Sequence, residues 1–234
     1  MKDMDVANVA LKGFLLSAFC FGFMDVWFLN LFYAVDPQIR GIWSKITYLG
    51  DAEWMLIGSL ILGIGYYGQF RYKTKKHIKG RWKALRRSRQ FTFIFAAVAI
   101  TGITASLVKN SIGRARPYLI ETAGPHGFSP FAFDSQWASW PSGHSTTAFA
   151  MATALALVAP KYRMVFLAIA AIAATSRAII GAHYISDVIM GSTLGMVGTV
   201  LIYRWLDKKL QLTFYPRYPR NTQAAKASES DTVS

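Results

Sequence analysis

The chain has very little of what disulfide-rich or soluble proteins depend on. It contains one cysteine, Cys20, which excludes an intramolecular disulfide framework. Only 16% of its 234 residues are charged, whereas 53% are hydrophobic, and so large an apolar fraction excludes an intrinsically disordered chain. Acidic residues are scarce, with 12 against 26 basic ones, and the net charge is +14. That charge alone would suit a nucleic-acid binder, but a mean hydropathy of +0.28 disfavours a soluble protein of that kind.

What the chain has instead is a set of six apolar segments of near-spanning length. A hydrocarbon core of about 30 Å is crossed by about 20 apolar helical residues. The segments therefore predict an all-α polytopic membrane protein with six transmembrane helices, at 9–33, 52–70, 91–108, 144–160, 164–180 and 185–205. The fourth and fifth are rich in alanine, which lets helix backbones approach closely in lipid. We expect one membrane domain over 1–214 and a polar, disordered cytoplasmic tail over 215–234.

The basic residues are distributed unevenly among the connections. Ten Lys or Arg lie between positions 71 and 89, and with six spans this loop shares one side with both termini and the turn at 161–163. The positive-inside rule then predicts cytoplasmic termini. We interpret the basic loop as a topology signal that also contacts anionic lipid, rather than as a nucleic-acid site.

The long connection 109–140 lies on the opposite, outer side of the membrane. Its prolines, glycines and aromatic residues favour a lid or an interfacial loop at headgroup depth. We expect Arg114 to line its entrance or meet solvent, and His126 to be an ordinary loop residue. Asp25 interrupts the first apolar segment, and if that span ends near Trp27 the carboxylate reaches the outer interface.

Polar residues from three connections converge on this outer side. Lys109 ends the third span and is followed by Arg116, Ser142-Gly143-His144 open the fourth span, Ser176-Arg177 end the fifth, and His183 and Asp187 open the sixth. Cations and imidazoles from separate parts of the chain are therefore expected at one membrane level.

The spacing of these residues indicates a nucleophile, an acid and an anion site. Asp187 follows His183 by four residues, so the two share a helix face. A carboxylate on one imidazole nitrogen fixes the tautomer and leaves the other nitrogen free to attack. Ser142 is suited to cap the fourth span, so that the next amides bind an anion. His144, in that first turn, is placed to protonate a leaving oxygen.

Three cations complete the predicted pocket. Lys109, Arg116 and Arg177 concentrate positive charge near the membrane, which is costly unless a multiply charged anion binds there, and guanidinium groups match phosphate oxygens. The pattern predicts phosphoryl transfer, in which a phosphohistidine forms on His183 and water activated by His144 releases phosphate. A zinc site built from the two histidines and Asp187 is the alternative, although three cations would repel a metal ion.

Three motifs carry a resemblance to a known family. They are Lys109-(six residues)-Arg116-Pro117, Pro141-Ser142-Gly143-His144 and Ser176-Arg177-(five residues)-His183-(three residues)-Asp187. Together they resemble the signature of the type 2 phosphatidic acid phosphatase superfamily and cover roughly 91–205. The stretch 46–51, Ile-Thr-Tyr-Leu-Gly-Asp, resembles a loop common in bacterial members.

The resemblance implies the catalytic helical bundle of that family and metal-free dephosphorylation of a lipid phosphate, without a cofactor, at the outer membrane face. It implies catalytic roles for His183, His144 and Asp187. It also implies that phosphate is held by Lys109, Arg116, Ser142, Gly143 and Arg177. Ser176 is then expected to support the site structurally rather than to react.

The substrate stays open among polyprenyl diphosphate, phosphatidylglycerol phosphate, phosphatidic acid and lipid A phosphates. We expect a bacterial cytoplasmic membrane, a periplasmic site reached by lipid chains laterally between spans, and the bilayer and its lipid phosphates as partners. Neither nucleic acid nor an obligate protein partner is expected. A vanadate-dependent haloperoxidase-like enzyme and a non-hydrolytic lipid-phosphate binding or transport protein are the alternatives, although binding alone needs the cations and not both imidazoles.

Overall fold

A computed structural model describes residues 1, 3–72 and 78–210 of the chain. Within those ranges the regular structure is helical, apart from one isolated antiparallel bridge between Arg114 and Phe128. The all-α prediction is therefore confirmed. The predicted tail 215–234 and positions 73–77 of the basic loop lie outside the described residues. From Ile78 onward the basic loop is already helical.

Nine α-helices are formed by the described residues: α1 (Val6–Phe23), α2 (Asp25–Tyr33), α3 (Pro37–Ile46), α4 (Ala52–Tyr72), α5 (Ile78–Ile112), α6 (Ile120–Ala123), α7 (Gly143–Val158), α8 (Arg163–Ile179) and α9 (Ile185–Leu210). Short 3₁₀ turns lie between some of them, at Thr47–Gly50, Pro117–Leu119, Ser135–Trp137 and Pro160–Tyr162.

Four helical stretches are long and apolar enough to cross a membrane: Val6–Phe23, Lys79–Ile112, Pro160–Ile179 and Ile185–Asp207. They make the chain a multi-pass membrane protein. The predicted second and fourth spans correspond to α4 and α7. Neither helix is among the stretches that are both long enough and apolar enough to cross a membrane, and α7 has only 16 residues. The number of crossings therefore stays a prediction.

The predicted first span, 9–33, is interrupted inside the bundle. Helix α1 ends at Phe23 and α2 begins at Asp25, with Met24 between them at φ −116° and ψ −22°. The expectation that Asp25 reaches the outer interface was wrong, because its side chain is buried against Arg114 and Ser186. A guanidinium group from a distant part of the chain compensates its charge.

Helix α7 lies at the centre and packs against α5, α8 and α9. Its small buried side chains are Ala148, Ala150, Ala152, Ala154 and Ala156. A Cβ added to Gly195 of α9 would lie 2.2 Å from the carbonyl oxygen of Thr146, so the two helices make a close backbone approach. As a result their amino ends meet, and the Ser142 N–H donates to the Asp187 carbonyl oxygen at 3.0 Å.

The segment 113–142 folds back over this end of the bundle. Gly113 has a φ of +66°, and a Cβ there would lie 1.9 Å from the Ser129 carbonyl oxygen, so only glycine fits the turn. The Ser129 N–H donates to the Gly113 carbonyl at 2.7 Å, and the Ser139 N–H donates to the Arg114 carbonyl at 3.1 Å. These bonds carry Ser139 back toward the start of α9.

Candidate active site

The structure brings residues of all three predicted motifs to the adjoining ends of α5, α7, α8 and α9. Lys109 lies in the last turn of α5, and a Cβ added to Gly143 would lie 4.0 Å from its Nζ atom. Arg116 interacts electrostatically with Lys109 and Arg177. It also interacts with both imidazoles. Cations and histidines that lie far apart in sequence thus share one pocket.

No carboxylate among the described residues lies within ion-pair distance of the three cations of this pocket, although Asp51 interacts electrostatically with Arg177. None of Lys109, Arg116 and Arg177 takes part in an ion pair there. Arg177 donates from Nη1 to the Thr47 hydroxyl at 2.9 Å. The Nε atoms of Arg116 and Arg177 are buried without an acceptor in the described part of the chain. Buried cationic donors of this kind favour the binding of an anion.

The amino end of α7 adds two amide donors. Ser142 caps the helix as predicted: its Oγ accepts from the Ser145 N–H at 3.5 Å and from the Ser145 hydroxyl at 3.0 Å. Ser142 is itself fully buried. The amides of Gly143 and His144 form no hydrogen bond within residues 3–72 and 78–210. They stand at the positive end of the helix dipole, beside the Lys109 ammonium group.

His183 lies in the turn before α9 and is 2% exposed. Its Nδ1 atom is 3.6 Å from Oδ2 of Asp187, longer than a hydrogen bond but within the range seen for catalytic pairs without substrate. Burial lowers the pKa of His183 to about 4; Asp187 opposes this shift, and Arg116 and Arg177 add to it. The imidazole is therefore neutral at neutral pH, as a nucleophile must be.

The expectation that Arg114 meets solvent was wrong, because the residue is buried. It is 1% exposed and forms ion pairs with Asp187 and with Asp25, the latter at 2.7 Å. Burial works against its charge, but Asp187 and Asp25 outweigh it and raise the pKa of Arg114. The guanidinium group lies behind the predicted nucleophile and holds its carboxylate. Sequence reasoning also missed Ser139, whose hydroxyl donates to Oδ2 of Asp187 at 2.6 Å.

His144 has a carboxylate partner that sequence reasoning did not identify. Its Nε2 atom lies 2.6 Å from Oδ1 of Asp51, and each side chain is 31% exposed. The 3₁₀ turn before Asp51 is held against α7, because the Thr147 hydroxyl donates to the Gly50 carbonyl at 2.6 Å. The resemblance of 46–51 to a bacterial loop was the available signal, but nothing in the sequence paired it with a histidine.

A cavity of about 490 Å³ opens beside His144, between α4 and α5. Asp51, Gly143 and His144 line its polar end. The rest of the lining is mostly apolar and includes Leu56, Val98, Ile103 and Leu107, with Glu53, Ser106 and Asn110 as further polar residues. The cavity thus connects the polar pocket with an apolar helix–helix cleft.

The remaining residues singled out from the sequence lie apart from this chemistry. Ser176 is fully buried and donates to the Ala173 carbonyl at 2.6 Å, which is a structural contact. The ring of His126 packs 4.6 Å from that of Phe21. Within the described ranges, no three His, Cys, Asp or Glu side chains are grouped so as to hold a metal ion.

Comparison with protein families finds that residues 90–211 match the model of the PAP2 superfamily. Two relatives named lipid A 1-phosphatase, from Rhizobium johnstonii and Rhizobium etli, are 38% and 37% identical over 157 residues. Each match covers 67% of this chain, and 64% and 67% of the respective relative. The chain thus spans slightly less than two thirds of the first relative. Phosphatidylglycerophosphatase B of Bacillus subtilis is 25% identical over 187 residues, covering 75% of this chain and 79% of the relative.

A solved structure has the same fold. It is the crystal structure of a transmembrane PAP2-type phosphatidylglycerolphosphate phosphatase from Bacillus subtilis, with a TM-score of 0.59 and 21% identity. The match covers 87% of this chain and 96% of that chain. The helical membrane architecture therefore extends well beyond the segment that carries the motifs.

Proposed function

This chain belongs to the PAP2 superfamily, and on that premise we propose that it is a lipid phosphate phosphatase that works through a phosphohistidine. The observation that carries the proposal is the cluster of Lys109, Arg116 and Arg177, unpaired within the described residues, around two imidazoles that each face a carboxylate. Such a pocket matches a phosphoryl group, whose charge is spread over several oxygens in the transition state. The names of the three relatives support a lipid monophosphate as substrate, and we take lipid A 1-phosphate as the first candidate.

In the first step, Nε2 of neutral His183 attacks phosphorus while Nδ1 keeps its proton toward Asp187. The N–P bond forms as the P–O bond to the lipid breaks, and the leaving oxygen takes a proton from His144. Lys109, Arg116, Arg177 and the amides of Gly143 and His144 hold the other phosphate oxygens, with Ser142 fixing the helix end. In the transition state these donors stabilise the developing charge.

In the second step, water attacks the phosphohistidine. His144, now neutral, takes a proton from the water as its oxygen bonds to phosphorus. The N–P bond breaks, its electron pair returns to Nε2 of His183, and inorganic phosphate leaves. Both histidines are then back in their starting protonation states, so the cycle balances.

We further propose six membrane crossings, with α4 and α7 added to the four helical stretches of spanning length. Six crossings put both termini and the basic 71–89 connection in the cytoplasm, in agreement with the positive-inside rule. The site then faces the outer leaflet, on the periplasmic side of a bacterial cytoplasmic membrane. Phe133→Cys in the outer loop should react with an impermeant maleimide on intact cells, whereas Tyr162→Cys should not. The reverse pattern would contradict this orientation.

We propose that lipid chains reach the site through the cleft between α4 and α5. Its apolar walls end at His144. Gly102 lines the cleft, and a Cβ added there would lie 3.5 Å from Cγ2 of Thr147. Gly102→Leu should slow turnover of a long-chain lipid phosphate more than that of a short soluble phosphate. Gly65→Leu on α4, where a Cβ meets nothing within 4 Å, is the matched control. Equal losses on both substrates in Gly102→Leu would argue against this route.

The proposed activity is tested by phosphate release from the purified protein in detergent, with chelator present, over the four candidate lipid classes. His183→Ala should release no phosphate but still bind lipid. Labelled phosphate should be trapped on His183 after an alkaline quench, under which phosphohistidine survives. If the native protein binds these lipids and hydrolyses none of them, it is a binding or transport protein instead.

A further inference from the structure

We propose that Asp25 is a positioning residue for His183, acting through Arg114 and Asp187, and that its negative charge stabilises the phosphorylated imidazole. The inference rests on the proposed function and goes beyond it. Asp25 lies at the start of α2, outside the segment 90–211 that matches the family. It is 2% exposed. A buried carboxylate in a membrane bundle is costly and is a candidate for a functional role.

The Asp25 carboxylate is held on both of its oxygens. Oδ1 accepts from the Ser186 N–H at 2.9 Å. Oδ2 accepts from the Ser186 hydroxyl at 2.6 Å and from Nη2 of Arg114 at 2.7 Å. Ser186 immediately precedes Asp187. Asp25 therefore binds the first turn of α9 next to the carboxylate that faces His183.

Arg114 connects Asp25 to Asp187, the carboxylate that faces His183. Its Nη1 donates to Oδ1 of Asp187 and, at 2.8 Å, to the Ser186 hydroxyl. The other oxygen of Asp187 accepts from the Tyr184 N–H at 2.9 Å and is the one that faces Nδ1 of His183. Arg114 on one oxygen, and the Tyr184 N–H and the Ser139 hydroxyl on the other, thus orient Asp187 together, and the guanidinium group is in turn held between the two carboxylates.

The hydrogen bonds of this network favour the ionised form of both carboxylates. Each hydrogen-bonding partner of Asp25 and Asp187 is a donor: N–H, hydroxyl or guanidinium. The Ser186 and Ser139 hydroxyls can accept as well as donate, but the Arg114 guanidinium group donates to both carboxylates and so favours the charged form of each. Arg114 is likewise charged, since it donates to both.

The charges of the network match the state of His183 after attack on phosphorus. With a neutral imidazole, Asp25, Arg114 and Asp187 together carry one net negative charge. When Nε2 bonds to phosphorus and Nδ1 keeps its proton, the ring becomes positive and the buried group becomes neutral. Without the charge of Asp25, Arg114 would cancel Asp187. The imidazolium would then form near Arg116 and Arg177 with no net counter-charge from the buried side chains behind it.

The test compares Asp25→Asn with Asp25→Glu in the purified full-length protein. The rate of labelled phosphohistidine formation is measured in a single turnover, and KM and thermal unfolding are measured separately. Asp25→Asn should slow phosphohistidine formation about tenfold to a hundredfold, the scale of a misplaced catalytic group, with little change in KM. Asp25→Glu keeps the charge and should be faster than Asp25→Asn. Asp36→Asn, an exposed helix cap, is the matched control.

A second variant separates charge from structure. Asp25→Asn combined with Arg114→Gln removes one charge of each sign, so Asp187 again leaves one net negative charge. The double variant should form phosphohistidine faster than Asp25→Asn alone. If the single variant does not fold, the rate of the double variant tests the charge effect instead. A purely structural role predicts that the double variant is worse.

The proposed function and this inference fail in different ways. If the native protein forms no phosphohistidine with any lipid phosphate, the proposed function is wrong. If the native protein forms it and folded Asp25→Asn does so at the same rate, only the role of Asp25 is overturned. Equal slowing in Asp25→Asn and Asp25→Glu, with no recovery in the double variant, would also overturn it.

Discussion

Replacing Asp51 by Asn tests whether His144 is the acid that protonates the leaving group. The substitution keeps the size of the side chain and removes the charge that faces Nε2 of His144 at 2.6 Å. Because Arg177 and Arg116 act against a positive charge on His144, the carboxylate is the group that favours the protonated imidazole. Without it, fewer molecules carry the proton that the departing oxygen needs.

The magnitude follows from the exposure of the pair. A hydrogen bond to a charged group contributes about 1.5–3 kcal/mol. Solvent screens this pair in part, since each side chain is 31% exposed, and we therefore take a value in the lower half of that range. About 2 kcal/mol corresponds to a loss of about 30-fold in kcat.

The assay compares two leaving groups at pH 7. A lipid phosphate leaves as an alkoxide and requires the acid, whereas p-nitrophenyl phosphate leaves as a stable phenolate and does not. Asp51→Asn should therefore lose about 30-fold on the lipid and less than about threefold on the aryl phosphate. Glu121→Gln, an exposed acid of the outer loop, is the control and should match the native protein on both.

The outcome that refutes the reasoning is a loss of equal size on the two substrates. Asp51 would then act on binding or on the fold rather than on proton transfer. Unchanged turnover of the lipid phosphate would mean that His144 is protonated without help from Asp51.

Two further predictions concern the groups around the nucleophile. Ser139→Ala removes the 2.6 Å hydrogen bond to Asp187 and should lower kcat about fivefold to tenfold with KM unchanged, since a net hydrogen bond contributes about 1 kcal/mol and one to a charged group more; a change in KM alone would contradict this. Because burial lowers the pKa of His183 to about 4, its ring should stay neutral at pH 5 in ¹⁵N NMR, with His183→Asn to assign the signal. The unfolded chain binds that proton near pH 6.5, so thermal stability should fall as the pH drops from about 6.5 toward 4, and less steeply in His183→Asn.

The fold class and much of the pocket could be predicted from local features of the sequence. Long apolar segments indicate helices in a membrane whatever their partners are, and the chain is helical and multi-pass as predicted. Ser142 caps α7 because a cap depends only on the next turn of backbone. The four-residue spacing also keeps His183 and Asp187 close, although His183 lies in the turn before α9 rather than on the helix face that the spacing predicted.

The predictions that failed concern charges whose partners lie far away along the chain. Asp25 and Arg114 were each assigned to the interface or to solvent, because an isolated charge in an apolar chain is most cheaply placed in water. Together they form a buried pair. Asp51 was noticed only through a resemblance, since its partner His144 follows nearly a hundred residues later.

The amino-acid sequence by itself determined the membrane character, the helices and the three motifs that meet in the candidate pocket, because these depend on hydropathy and on spacings within single segments. Only the tertiary structure decided which carboxylate serves each histidine and what stands behind Asp187. Those choices depend on how closely α7 and α9 approach each other and on where α2 begins within the bundle. A charged side chain is stable at these buried positions only next to a side chain of opposite charge. The two partners lie far apart in the sequence, so no local pattern predicts the pairing.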